Sequence, residues 1–305
     1  MKNAIFYYYN LNPITLIKRY QQFEFQIDQT QYVLLPCSFP LEQLSPLYQL
    51  TLTLHQHQIP VHKMILNKDG QLITLINQIP YILLQVFVSK DTPIIFRDIL
   101  QFQELTKDIS GENLIIANWY QLWTQKVDYL EYQISEFGKK YPMIRESFSY
   151  YIGLAENAIT LVKTVNQPAP VLSHRRLYMN STLFDLYNPL NLIMDSKVRD
   201  IAEYLKDCFF HNRDPLDMIQ SYLQYQTLQC SEYQLLFIRF LFPSYYFDCY
   251  EQIIEHGHNE KELLSITLKN ETYENILNYL YQQVLFHCYL PEMLWLTKKV
   301  VNQQH

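Results

Sequence analysis

Two kinds of hydrophobic pattern occupy different ends of this chain. Up to Val88 the apolar residues come in short strand-like runs between turn residues, interrupted by a single amphipathic stretch at Leu41 to His57. From Ile95 onward they recur every three to four residues. Alternation in short runs gives strands, and a period near 3.6 gives one apolar face of a helix. Strands gathered ahead of helices predict an α+β fold, with a small sheet-rich part of 1–90 and a larger helical part of 91–305. Lys90-Asp-Thr-Pro93 is the expected hinge.

Within the first part, residues 1 to 19, with Ile14, Leu16 and Ile17, read as a lead-in helix. Phe23 to Leu35 alternates, turns at Asp28-Gln-Thr-Gln31 and resumes, which is a β-hairpin. Ile59 to Ile65, Leu72 to Ile76 and Tyr81 to Val88 read as further strands, with a turn at Lys68-Asp-Gly70. In the second part helices are expected at 95–107, 113–138, 142–164, 198–210, 214–227, 231–241, 245–256, 260–268 and 271–299. Trp119, Leu122, Trp123, Val127, Leu130 and Ile134 share one helical face, which reads as core and not as a cofactor box. Glu156-Asn157, mid-helix among small residues, reads as a polar contact between helices.

Charge and cysteine usage narrow the classes. A net charge of −6 argues against nucleic acid or an anionic membrane as partner, since both demand clustered Lys and Arg. Lys139-Lys140 is a solvated helix end. The five cysteines, Cys37, Cys208, Cys230, Cys249 and Cys288, are odd in number and show no Cys-x-x-Cys spacing. That suits free thiols in a reducing compartment. The opening residues lack the apolar run and cleavage site of a signal peptide, and Leu235 to Phe242 is too short to span a bilayer and is broken by Arg239. A cytoplasmic protein is expected. His55-x-His57 and His256-x-His258 read as exposed helix-end residues, because neighbours two apart on a helix face different ways and no further ligands complete either set. No Gly-x-Ser-x-Gly, Gly-x-Gly-x-x-Gly or His-Glu-x-x-His occurs.

The richest stretch runs from Ser173 to Lys206. Apolar runs at Thr182 to Phe184 and Leu190 to Met194 are separated by Asp185, Tyr187, Asn188 and Pro189, so a hairpin is expected inside 173–196. His174 precedes it, Asp195 ends its second strand, and a helix opens near Val198 with Asp200 in its first turn. This layout resembles the catalytic segment of the aminoglycoside-phosphotransferase and choline-kinase branch of the protein-kinase-like fold. The resemblance implies two lobes, a scaffold role for His174 and Asp200, with a hydrogen bond between them, and a metal-ligand position at Asp195.

The departures from that family are as informative. Arg176 stands where the family has its catalytic Asp, and a guanidinium cannot accept the proton of an attacking hydroxyl. Ser181 stands where the second metal-binding Asn is expected, with Asn180 one residue early. Leu35 takes the place of the strand lysine that holds phosphates, which leaves Glu42 as a first-turn helix charge. No glycine occurs before Gly70, so no backbone can close tightly on phosphate oxygens.

A narrower resemblance is carried by Ser149-Tyr-Tyr-Ile-Gly-Leu-Ala-Glu-Asn-Ala-Ile159 and by Asn188-Pro-Leu-Asn-Leu-Ile-Met-Asp-Ser-Lys-Val-Arg-Asp-Ile-Ala-Glu. Both are similar to segments of the YutH-type spore-coat-associated proteins, relatives of CotS and YtaA, although Ser196 replaces that family's usual His. The expectation is a catalytically inactive kinase-like protein with a structural or binding role. Other coat proteins are its expected partners, and the spore coat its location if the host sporulates. No cofactor is expected and no small-molecule ligand is identified. The alternative is a small-molecule phosphotransferase with ATP and magnesium in a rearranged site, and Asp185 or Asp195 as the acid.

Overall fold

The computed structural model describes residues 1–88, 90–111, 114 and 117–297. In chain order its elements begin with α1 (Lys2–Tyr9), β1 (Ile17–Arg19), β2 (Gln22–Ile27), β3 (Thr30–Pro36), α2 (Leu41–Gln56), β4 (Lys63–Ile65), β5 (Thr74–Ile76) and β6 (Ile79–Val86). They continue with α3 (Phe96–Thr106), α4 (Trp119–Phe137), α5 (Pro142–Val162), β7 (Val171–His174), α6 (Leu183–Leu186) and β8 (Leu192–Asp195). The last six are α7 (Val198–Phe210), α8 (Leu216–Tyr225), α9 (Cys230–Leu241), α10 (Ser244–His256), α11 (Leu264–Thr267) and α12 (Asn270–His287). The chain forms two compact units, Met1–Ile116 with Val171–Met194, and Ala117–Pro170 with Asp195–His305.

The first unit is built on an antiparallel sheet in the order β1-β2-β3-β6-β4, with β5 also paired to β6. β6 is central because it is apolar on both faces, and Ile82, Leu83 and Leu84 are fully buried. β2 and β3 form the expected hairpin in the register Phe23↔Leu34 to Ile27↔Thr30, with Asp28 at positive φ in the turn. The β5–β6 turn places Asn77 and Gln78 both at positive φ, as a tight turn matching the strand twist requires. α2 buries Leu44, Leu47, Leu50 and Leu54, spaced three and four apart.

The lead-in helix is shorter than expected. α1 stops at Asn10, which adopts a left-handed conformation and returns its N–H to the Phe6 carbonyl. Ile14 is 90% exposed, and Ile17 begins a strand at the sheet edge. Ile5 is the buried residue of α1, packed with Phe25, Leu34, Ile76, Tyr81 and Leu83, and its burial contributes roughly 2 kcal/mol to holding the helix.

The second unit is helical, and α9 is its core. Leu235 to Leu241 are all buried, with α5, α7 and α12 packed on this helix. Aromatic pairs fill the spaces: Tyr151 stacks on Tyr246 and Phe210 on Tyr245, both at 3.7 Å between ring centroids. Glu156 and Asn157 lie on the exposed face of α5, where Asn157 donates to the Gly153 carbonyl in its own turn, so the expected contact between helices is not there. No helix among the described residues is long and apolar enough to cross a membrane.

Candidate functional site

The segment after β7 departs from the expected hairpin in one respect. Thr182 to Phe184 is not a strand; Thr182 caps α6, and Asp185 Oδ2 accepts from the Thr182 N–H at 2.8 Å and its hydroxyl at 2.9 Å. A Thr with an acid three residues on is a helix-start signal, and here it overrides the β-branched Thr and the apolar run. The strands that pair are β7 and β8. Asn191 carries the connection between them: its Oδ1 accepts from the Arg176 N–H at 3.2 Å, and its Nδ2 donates to the Arg176 carbonyl at 2.9 Å.

Within the first unit, His174 ends β7 fully buried against Phe102, and its Nε2 donates to the Leu186 carbonyl at 2.8 Å. The Arg176 guanidinium is exposed and donates to the Tyr178 hydroxyl at 2.5 Å. Ser181 is buried and closes a turn, its hydroxyl accepting from the Tyr178 N–H at 3.0 Å. Arg175 and Arg176, with Phe39, Asn180, Ser181 and Asp185, line an open cleft of about 660 Å³. The Arg175 guanidinium lies 4.9 Å from the Phe39 ring, and partial burial lowers its pKa. Leu35 is half-buried on β3 opposite Ile82, and Glu42 is exposed in the first turn of α2.

Nearby, His62 is completely buried, with its ring 4.6 Å from that of Phe184 and its Nδ1 accepting from the Phe87 N–H at 3.4 Å. Burial pushes its pKa down to about 4, against a smaller opposing contribution from the Phe184 backbone.

In the second unit the surroundings of Asp195 are saturated. Its Oδ1 accepts from Arg239 Nη2 at 2.7 Å and from the Ser196 N–H at 2.6 Å. Its Oδ2 accepts from Trp119 Nε1 at 2.7 Å and from Arg199 Nη1 at 3.1 Å. Burial raises the carboxyl pKa, but Arg239 and Arg199, aided by the two N–H donors, outweigh it and hold the group below the usual carboxylate range. Both guanidinium groups also lie over the Trp119 ring, at 4.4 and 4.6 Å. The network runs on through Glu203, 3.9 Å from Arg239 and 3.0 Å from the buried Lys206. Lys206 donates to the Arg239 carbonyl at 2.8 Å and the Ser244 hydroxyl at 2.9 Å. Asp200 is buried in the first turn of α7.

Sequence alone assigned no site role to three residues of this network. Arg239 was visible there only as the break in an apolar run, and a charge inside such a run is itself the signal of a buried partner. Arg199 follows Asp195 by four residues, a spacing that brings side chains together at a helix start. Trp119 counts toward the apolar face of α4, but its N–H gives it a second task.

The model of the family described as "Spore coat putative kinase YutH" matches residues 2–280. The endospore coat-associated protein YutH of Bacillus subtilis (strain 168) is 28% identical over 312 residues, covering 90% of this chain and 91% of that protein. Among solved structures, an aminoglycoside phosphotransferase from Alicyclobacillus acidocaldarius superposes with a TM-score of 0.66 at 13% identity, covering 91% of this chain and 94% of that one. A spectinomycin phosphotransferase, in complex with ADP and spectinomycin, superposes with a TM-score of 0.56 at 12% identity, covering 87% and 91%. A sheet-rich part followed by a helical part is thus the kinase-like fold of the aminoglycoside phosphotransferases, and the chain belongs to the YutH family of spore-coat proteins.

Proposed function

We propose that this protein is a kinase-like fold without phosphotransfer activity, serving a structural or binding role in the spore coat of a sporulating host. The observation that carries the reading is the carboxylate of Asp195, whose two oxygens accept four hydrogen bonds, two of them from guanidinium groups. Magnesium takes oxygen ligands with lone pairs to offer and is repelled by adjacent cations. The groups around Asp195 do not fit a metal ion, and we assign this residue the part of a structural counter-ion. Arg176 supports the same reading from the other unit, since its guanidinium cannot act as a base. Asp185, the other acid to consider, spends one oxygen on the cap of α6. Partners are proposed to be other coat proteins, on the strength of family membership.

The experiment is a thermal-shift titration of the full chain with ATP and magnesium, alongside ATP consumption in the presence of aminoglycoside, sugar or choline acceptors. A nucleotide at a hundred times its Kd would stabilise the fold by about 2.7 kcal/mol. No saturable rise and no turnover are expected. Turnover abolished by Asp195→Asn would establish the phosphotransferase alternative instead.

A further inference from the structure

The five cysteines are scattered along the sequence, yet two of them meet in the fold. Cys230 is the first residue of α9, and Cys288 is the residue that closes α12. The Cys230 thiol is near enough to act on that of Cys288, raising its pKa. Contacts on either side hold both attachment points. Tyr233, one turn along α9, stacks on His287 with ring centroids 4.2 Å apart and planes 16° apart. Gln234 donates to the Tyr289 carbonyl at 2.8 Å. The residues just before and just after Cys288 are therefore both fastened to the first two turns of α9.

Access is graded. Cys230 is exposed and Cys288 half-buried, so a small reagent reaches the pair through Cys230. Cys37 and Cys208 are buried and Cys249 half-buried, and burial raises the pKa of all three thiols.

We propose that Cys230 and Cys288 are a reversible redox site, closing to a disulfide when the chain meets a small-molecule disulfide. In the first step the Cys230 thiolate attacks one sulfur of the reagent, whose S–S bond breaks. One small thiolate leaves, and a mixed disulfide remains on Cys230. In the second step Cys288 gives its proton to solvent and attacks the Cys230 sulfur, expelling the second small thiolate. Two protein thiols are oxidised and one disulfide is reduced to two thiols. Burial, and then the neighbouring Cys230 thiol, raise the pKa of the Cys288 thiol, which makes the second step slow and accelerates it as pH rises. The closed bond ties the start of the central helix α9 to the end of α12 and restrains the unfolded chain between them.

The test uses the full chain incubated with oxidised glutathione, blocked with N-ethylmaleimide, digested without reduction and read by mass spectrometry. A Cys230–Cys288 linked peptide two hydrogens lighter than the separate thiols is expected, formed faster at pH 9 than at pH 7 and lost on adding dithiothreitol. The oxidised chain should melt about 5 °C above the reduced chain. Cys288→Ser should retain glutathione on Cys230 and show no such rise. Stable glutathione adducts on Cys230 of the native chain without a link, or a link formed only after denaturation, would overturn the proposal.

Discussion

Arg239, near the end of α9, places its Nη2 2.7 Å from Oδ1 of Asp195, the last residue of β8. Both side chains are almost fully buried, at 2% and 5% exposure. Removing one member of such a pair strands a charge in a medium that solvates it poorly. Arg239→Met should cost about 3–5 kcal/mol, read as a lower urea midpoint. Because the two residues touch, the double variant with Asp195→Leu should lose less than the sum of the single losses.

Acid should weaken the first unit through His62. Its folded pKa, about 4, lies below the ordinary value of 6.5, so between these limits the unfolded chain binds the extra proton. Stability is fully present above pH 6.5 and is lost as pH falls toward 4, by about 3 kcal/mol in all. Unfolding midpoints measured at pH 7 and pH 5 should differ for the native chain and converge for His62→Gln. Equal slopes in the two proteins would refute the assignment.

Putting a carboxylate back at position 176 should not create a kinase. Arg176→Asp supplies a carboxylate at that position but leaves Asp195 engaged by Arg199 and Arg239. A coupled ATP-consumption assay on that variant, with the same set of acceptors, should read background. Turnover in the variant would mean that the saturated carboxylate is no obstacle.

The cap of α6 should matter only moderately. Asp185→Ala removes the acceptor for the Thr182 N–H and hydroxyl, and cap losses cost about 1 kcal/mol. Asp185→Asn, which keeps an acceptor oxygen, should recover most of that. Hydrogen exchange at the Thr182 amide reports on the change directly.

The regular elements were legible in the sequence because each carried its own local signal. The Phe23–Leu35 hairpin showed alternation and a turn, and α7 and α9 showed their apolar period with boundaries within a residue of those found. Misreadings came where a local cap competed with residue type. Thr182 to Phe184 looked extended until the Asp185 side chain was counted as a cap, and Ile17 looked helical although Asn10 had already ended α1. The candidate site was half legible: the position of Asp195 could be read from its neighbours in sequence. Its company could not, since Trp119 and Arg239 are 76 and 44 residues distant along the chain. The pairing of Cys230 with Cys288 was hidden for the same reason.

The four hydrogen bonds on Asp195 also bear on how the molecule comes to be assembled. An acid that waits for a dissolved cation makes maturation depend on supply. Here the neutralising groups are synthesised with the polypeptide and arrive in fixed proportion to it. The interior of the second unit thus carries the charges that neutralise Asp195 within its own fold, from Arg199 and Arg239.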